Sequence, residues 1–196
     1  MYRVNEIFYS LQGEGRHTGR AAVFVRFSGC NLCCPFCDTD FTAYTPMTVA
    51  DIMDAIKPWS ACGFVVLTGG EPSQQVDEVL VDELHRAGFY VAVETNGTHA
   101  LPGNVDWVTW SPKDQFCSHV PPLALSKISE VKVVFDGEHN PEHYSRLAVG
   151  AYLCLQPCDT GNSERNREIT KQCVDYILHH PQWHLSLQTH KVINIQ

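Results

Sequence analysis

The sequence predicts an α/β fold whose parallel strands form a partial (β/α)6-type TIM barrel. Short runs rich in β-branched and aromatic residues alternate along the chain with segments whose apolar residues recur at the helical period. Alternation of this kind is typical of parallel strands joined by right-handed crossovers. About six of the predicted strands belong to this alternation with helices, which is too few to close an eight-stranded barrel. Glycine and polar residues follow most of the strands, which is where β/α barrels build their active sites.

The first half of the chain contains four predicted strands and two predicted helices. Thr48 and Asp51 have the spacing of a capping box, which predicts the start of a helix that Pro58 ends. A second helix is predicted from the apolar stripe over residues 76–87, which a glycine follows. The four strands, which are apolar and β-branched, are predicted over residues 5–10, 21–28, 64–67 and 89–93.

The second half is predicted to add four more strands and two more helices. A short helix is predicted over residues 141–147, and Ile169, Cys173 and Ile177 form the apolar stripe of a long last helix. No low-complexity linker and no internal repeat interrupts the chain, so residues 1–196 are predicted to form one domain. The strands are predicted over residues 105–110, 128–135, 151–155 and 185–188, with loops alone over 96–105 and 113–128.

Composition and charge narrow the class of protein. The chain has 196 residues, of which 44% are hydrophobic, enough for a well-buried core. The N-terminus lacks the pattern of an export signal, and no stretch approaches the ~18 consecutive apolar residues of a membrane span. We therefore expect a cytoplasmic protein without a membrane partner. A net charge of −8 argues against direct nucleic-acid binding, so a small-molecule partner is expected.

Four of the nine cysteines fall within residues 30–37, as Cys30, Cys33, Cys34 and Cys37. Free cysteine usually behaves as a small hydrophobe scattered through a core, so this density indicates thiolates gathered on a soft metal, as in iron–sulfur proteins. A zinc knuckle is the first alternative, but its two cysteine pairs are usually separated by roughly a dozen residues or more. A disulfide pair is the second, and it requires an oxidising compartment.

Read as Cys30-x3-Cys34-x2-Cys37 with Phe36 before the last cysteine, the cluster resembles the signature of the radical S-adenosylmethionine (SAM) superfamily. The resemblance implies that three thiolates hold a 4Fe-4S cluster whose fourth iron is open to SAM. An electron from the cluster then cleaves SAM to a 5′-deoxyadenosyl radical. The spacing also permits a frame that uses Cys33 in place of Cys34.

A more specific resemblance is to the 7-carboxy-7-deazaguanine synthases. It rests on residues 9–15, 24–26, 29–39, 68–72, 93–97, 111–113 and 188–191. It implies conversion of 6-carboxy-5,6,7,8-tetrahydropterin to 7-carboxy-7-deazaguanine with loss of ammonia, in queuosine and 7-deazapurine biosynthesis. It further implies Mg²⁺, a flavodoxin-like reductant and a homodimer. Another radical SAM enzyme, such as a glycyl-radical activase, and a non-catalytic iron–sulfur or zinc module remain alternatives.

The family resemblance also assigns site residues. Cys30, Cys34 and Cys37 are expected to hold the cluster, and Thr39 to bind Mg²⁺. The expected SAM contacts are Phe36, Cys37, Asp38, Gly70, Ser111, Pro112, Lys113, Gln156, Pro157, Cys158 and Asp159. The expected substrate contacts are Leu11, Gln12, Gly13, Arg26, Thr68, Glu94, His190 and the C-terminal Gln196. Cys62, Cys117, Cys154 and Cys173 are interpreted as structural.

Overall fold

The computed structural model describes residues 1–37, 39–40 and 42–196, and in them an open sheet of nine strands forms the fold. The strands are β1 (Tyr2–Leu11), β2 (Ala21–Phe27), β3 (Thr45–Met47), β4 (Phe64–Gly69), β5 (Tyr90–Thr95), β6 (Trp107–Trp110), β7 (Glu130–Phe135), β8 (Tyr152–Pro157) and β9 (Trp183–Leu185). The sheet order is β3-β1-β2-β4-β5-β6-β7-β8-β9. β1 is antiparallel to both of its neighbours, β3 and β2, whereas all the other pairings in the sheet are parallel. The predicted partial β/α barrel is confirmed.

Helices connect some of the parallel strands and not others. The capping box at the first helix is present, with the Thr48 N–H donating to Asp51 Oδ2 and the Asp51 N–H donating to Thr48 Oγ1. As predicted, the connections from β5 to β6 and from β6 to β7 contain no helix. No helix in the described ranges has the length and apolarity needed to cross a bilayer. The helices are α1 (Val49–Ile56), α2 (Glu78–Arg86), α3 (Glu142–Leu147), α4 (Ser163–His179) and α5 (Thr189–Ile193).

The end of the chain differs from the sequence prediction. The last strand ends at Leu185, and the segment predicted as strand over residues 186–188 instead leads into α5. Trp183 explains the shift, because its side chain is 1% exposed and anchors the strand, whereas Leu187 is 39% exposed. The short β3, which contains Pro46 and lies at the sheet edge, was not predicted either.

The two faces of the sheet have different environments. On the outer face, side chains such as Val65 and Leu67 pack with Ile52 of α1 and Leu80 of α2 in the main core. On the inner face, Ala22, Phe24, Phe64, Val66 and Ala92 form a separate apolar cluster. Because side chains alternate along a strand, the next inward positions on three of these strands are Arg26, Thr68 and Glu94. The inner face therefore changes from apolar to polar toward the carboxyl ends of the strands.

Candidate functional site

A cavity of about 860 Å³ opens at the carboxyl ends of the parallel strands. It is lined by nearly all of the residues expected from the sequence. Pro112 is the exception, since it is buried and does not line the cavity. Asp38 lies outside the described residues. The expected residues found at the cavity are Leu11, Gln12, Gly13, Arg26, Cys30, Cys34, Phe36, Cys37, Thr39, Thr68, Gly70, Glu94, Ser111, Lys113, Gln156, Pro157, Cys158, Asp159, His190 and Gln196.

The cysteine loop forms one end of the cavity. Cys30 and Cys34 are half-buried, Cys33 and Cys37 are exposed, and all four line the cavity. Phe36 packs edge-on against Phe116, with ring centroids 4.7 Å apart. The loop therefore presents its thiols to the cavity with an aromatic wall beside them, and this placement is compatible with either cysteine frame.

Cys117 differs from its interpretation as a structural cysteine. It is half-buried in the loop between β6 and β7, and its Sγ lies 3.6 Å from Cys34 Sγ. By contrast, Cys154 and Cys173 are buried in the core as expected. The cysteine loop thus contacts a further thiol that the sequence pattern did not associate with it.

Two consecutive glycines bring the end of β4 against the start of the cysteine loop. The Gly70 N–H donates to the Phe27 carbonyl at 2.9 Å, and the Glu71 N–H donates to the Gly29 carbonyl at 2.8 Å. A Cβ on Gly70 would lie 2.1 Å from the Gly29 oxygen, and Gly69 has a φ of +135°. A side chain at Gly70 would therefore push the cysteine loop away from the sheet, and one at Gly69 would clash with the Phe27 backbone of β2.

The Glu71 carboxylate ties this region to the end of β5. It is 1% exposed, and its Oε1 accepts hydrogen bonds from the Ser73 N–H, the Ser73 hydroxyl and the Thr95 hydroxyl. Its Oε2 accepts from the Asn96 N–H at 2.7 Å. The Asn96 amide in turn donates to Asn31 in the cysteine loop at 3.0 Å. These bonds fix the loop relative to two strand ends.

An ion-pair network forms the floor at the other end of the cavity. Lys132 of β7 donates to Glu14 Oε2 at 2.6 Å and to Glu94 Oε2 at 2.8 Å. Gln12 Nε2 donates to Glu94 Oε1, and Gln188 Nε2 donates to Glu14 Oε1. All five side chains line the cavity. The floor is therefore a closed set of donors and acceptors with fixed positions.

Glu14, Lys132 and Gln188 were not among the expected site residues. A signal for Lys132 is present in the sequence, because a lysine inside the apolar strand Glu130–Phe135 requires a buried partner. The identity of that partner is not encoded locally, since Glu14 lies 118 residues away along the chain.

The floor perturbs the pKa values of its members. Burial alone would raise the pKa of Glu14, but the Lys132 ammonium and hydrogen bonds from Lys132 and Gln188 outweigh it and lower that pKa to about 2. Burial opposes the charge on Lys132, yet its acidic neighbours raise the Lys132 pKa well above its usual range. Both groups of this pair are therefore charged at neutral pH.

The C-terminal segment closes one side of the cavity. Its terminal Gln196 donates from Nε2 to Glu6 Oε2 at 2.8 Å, and the Ser10 hydroxyl donates to the Gln196 main-chain oxygen at 2.5 Å. Glu6 also pairs with Arg26 Nε at 2.7 Å. His190 lines the cavity from within α5, a helix that the sequence did not predict. The tail therefore packs back onto the sheet.

The donor set fits an iron–sulfur cluster better than a single metal ion. Within the part of the chain that the structure describes, no three His, Cys, Asp or Glu side chains converge to hold one ion. A 4Fe-4S cluster binds each thiolate at a different iron, so thiols spread along one loop suit it. Gly70, where the end of β4 meets the cysteine loop, and the Phe36 ring both border the cavity beside those thiols. The cavity has space there for a second group.

Comparisons with known proteins agree with an iron–sulfur site. Residues 24–107 match the model of the radical SAM superfamily. The chain is 48% identical over 196 residues to the 7-carboxy-7-deazaguanine synthase of Bacteroides thetaiotaomicron, with 100% of both chains covered. It is 42% identical to the enzyme of that name from Bradyrhizobium diazoefficiens, covering 100% of this chain and 99% of the relative. The crystal structure of QueE from Escherichia coli superposes with a TM-score of 0.78 at 28% identity, covering 95% of this chain and 93% of that one.

Proposed function

We propose that this chain, which belongs to the 7-carboxy-7-deazaguanine synthase family of the radical SAM superfamily, converts 6-carboxy-5,6,7,8-tetrahydropterin to 7-carboxy-7-deazaguanine with release of ammonia. The family uses a 4Fe-4S cluster and SAM. The observation that carries the proposal is one cavity with thiols at one end and a floor of fixed hydrogen-bonding groups at the other. Such a cavity places a cofactor and a polar small molecule within reach of each other.

At the thiol end, Cys30, Cys34 and Cys37 would hold the cluster through three of its irons. When bound, the cluster and SAM supply a radical able to abstract hydrogen from carbon. Phe36 and Phe116 form an aromatic wall at this end, and Gly70 lets the backbone of the cysteine loop approach the end of β4 closely. The proposed SAM contacts are Phe36, Cys37, Asp38, Gly70, Ser111, Pro112, Lys113, Gln156, Pro157, Cys158 and Asp159.

Lys113 supplies a fixed positive charge near the thiol end. Its ammonium donates to the Ser111 carbonyl at 3.0 Å, so the side chain folds back over its own turn. Burial lowers the pKa of Lys113, and Cys34, Glu14 and Glu71 oppose that effect. We assign Lys113 to the carboxylate of SAM, because a buried ammonium stabilises an anion strongly.

At the floor and at the tail side of the cavity, the charges match a carboxylated pterin. The Arg26 guanidinium suits the substrate carboxylate, and the Glu94 carboxylate suits the N–H donors of the pterin edge. Gln12 and Gly13 offer an amide and a backbone group at the same floor. The proposed substrate contacts are Leu11, Gln12, Gly13, Arg26, Thr68, Glu94, His190 and Gln196.

Three further parts of the proposal come from the family. Thr39, which lines the cavity beside the cysteine loop, would bind Mg²⁺ together with substrate and water, since Mg²⁺ often takes few protein ligands. A flavodoxin-like protein would deliver the electron. The protein would act as a homodimer.

The test is anaerobic turnover by the reconstituted protein with SAM, dithionite and 6-carboxy-5,6,7,8-tetrahydropterin. We expect ammonia and 7-carboxy-7-deazaguanine to appear in equal amounts, and Cys37→Ala to abolish both. Added Mg²⁺ should raise the rate in wild type, and Thr39→Ala should reduce that response. Cleavage of SAM without any change in the pterin would refute the assignment and favour an activase. A protein that binds iron but never cleaves SAM would favour a non-catalytic module.

A further inference from the structure

Glu130 lies beneath the cavity floor, two residues before Lys132 on the same face of β7. It is only 2% exposed. Its Oε2 accepts hydrogen bonds from the Arg16 backbone N–H and from Trp107 Nε1, both at 3.2 Å. Its Oε1 is buried and has no N–H or O–H partner among the described residues, and the weakly donating Cys154 thiol lies against the carboxyl group. Such an oxygen costs stability, so the presence of this carboxyl group calls for a functional explanation.

Glu130 also contacts the loop that forms part of the floor. A Cβ on Gly15 would lie 2.1 Å from Glu130 Oε1, so the loop backbone runs directly over this carboxyl group. The next residue, Arg16, donates its backbone N–H to Glu130, and the preceding residue, Glu14, is held by Lys132. The inward pair Glu130 and Lys132 therefore anchors residues 14–16, which continue directly from Gln12 and Gly13.

We propose that Glu130 is a positioning residue for the substrate: its neutral form leaves the Lys132 ammonium to Glu14 and Glu94, whereas its ionised form competes with them for that ammonium. This inference rests on the proposed function, because Gln12, Gly13 and Glu94 are assigned there as substrate contacts. The ionised form also repels Glu94. Substrate binding should therefore be strongest when Glu130 is protonated.

The groups around Glu130 come from every neighbouring element. They are Glu94 on β5, the Trp107 N–H on β6, Lys132 on β7, Tyr152 and Cys154 on β8, and the Arg16 N–H on the loop. Burial and the Glu94 charge raise the pKa of Glu130 to about 7, against the opposing effects of Lys132 and the two N–H donors. Burial and Glu130 raise the pKa of the Cys154 thiol, which stays neutral.

The hydrogen bonds define which oxygen carries the proton. Oε2 already accepts two N–H groups, so protonation there would break one of them. The proton therefore belongs on Oε1, the atom next to Gly15. Glu130→Gln should reproduce this neutral state at all pH values, because its amide oxygen can accept the same two N–H groups.

The experiment compares pH profiles of kcat and KM for the reconstituted wild type and Glu130→Gln between about pH 6 and pH 9. In the wild type we expect KM for the pterin to rise by roughly tenfold as Glu130 ionises, with kcat nearly constant. In Glu130→Gln, KM should stay flat over this range. Glu168→Gln, an exposed substitution on α4, is the matched control and should behave as wild type. The ratio of variant to wild type at each pH removes effects of pH on cluster reduction.

A second measurement tests the proton directly and does not need turnover. Infrared spectroscopy of the wild-type holoenzyme should show a carboxylic C=O band that titrates near neutral pH and that Glu130→Gln lacks. Superimposable KM profiles, or no such band, would overturn the inference while pterin turnover still supported the proposed function. If neither protein altered the pterin at any pH but the band titrated, the proposed function would be wrong and the assignment of a neutral Glu130 would stand. Should Glu130→Gln fail to fold, the wild-type band and KM profile decide the matter alone.

Discussion

In the described structure, Lys132 is the only cation that hydrogen-bonds to Glu14 and Glu94. Replacing Lys132 with methionine removes that charge and keeps a side chain of similar length. The Lys132 side chain is 8% exposed, and those of Glu14 and Glu94 are 18% and 19% exposed, so water screens the interaction weakly. The variant leaves both carboxylates buried without a counter-charge. Removing one partner from a buried pair typically costs about 3–5 kcal/mol.

The pKa of Glu14 gives a second, independent value for the free energy that this ion pair contributes to folding. Its fall from 4.5 to about 2 corresponds to roughly 3 kcal/mol of folded-state stabilisation at neutral pH. Because the folded-state pKa is depressed, this stabilisation is present above pH 4.5 and is lost as the pH falls toward 2. In Lys132→Met the sign reverses, since burial without a cation raises the carboxyl pKa values. The variant should therefore recover stability as the pH falls and the carboxyl groups are protonated.

The assay is urea denaturation of the cluster-free proteins at about pH 8 and pH 5, because loss of the cluster would make unfolding irreversible. We expect Lys132→Met to be less stable than wild type by about 3 kcal/mol at pH 8, and by clearly less at pH 5. Lys171→Met, at an exposed position of α4, should change stability by no more than about 0.5 kcal/mol. A deficit that is the same at both pH values would refute the electrostatic account, and a deficit under about 1 kcal/mol would refute the magnitude.

Three further predictions concern the cysteine loop and the tail. Cys33→Ala should keep the brown cluster, whereas Cys34→Ala should lose it. Iron and sulfide analysis after reconstitution measures this, and the opposite pattern would show that Cys33 ligates the cluster in place of Cys34. Gly70→Ala should bind less iron and lose about 1–3 kcal/mol of stability, because its Cβ would lie 2.1 Å from the Gly29 oxygen. Gly103→Ala, where a Cβ meets nothing within 4 Å, is its control. Deleting residues 194–196 should raise KM for the pterin without changing iron content, since it removes the Gln196 contacts with Glu6 and Ser10; unchanged kinetics would show that the tail only frays.

The sequence was informative where chemistry is local or periodic. The alternation of strands and helices predicted the partial barrel, and the capping box at Thr48 and Asp51 predicted the start of α1. The ends of strands depended on tertiary packing. β9 lies earlier in the chain than the sequence predicts, because the buried Trp183 anchors it. α5 was missed for the same reason, because Thr189 is held by the distant Gly13 carbonyl.

In the candidate site, too, the local motifs were informative and the long-range pairings were not. The residues expected from the family motifs line the cavity with few exceptions, because the motifs stand at strand ends that the fold brings together. The pairing of Lys132 with Glu14 was missed, since a contact over 118 residues leaves no periodic trace. Glu130 was missed as well, because a glutamate at the start of a strand usually faces solvent. Its burial follows from Gly15, which lets a loop pass directly over it.

The two ends of the cavity are held by separate networks, although both use β5. Thr95 donates to Glu71 on the cysteine-loop side, whereas the adjacent Glu94 accepts from Lys132 on the floor. Successive side chains of a strand point to opposite faces, so these neighbours share no hydrogen-bond partner. We therefore expect Gly70→Ala and Lys132→Met to be additive within about 0.5 kcal/mol in a double-mutant cycle of urea denaturation. Gly70→Ala should lower iron content, and Lys132→Met should leave it unchanged. A coupling energy above about 1 kcal/mol would show that β5 transmits strain between the cofactor end and the floor.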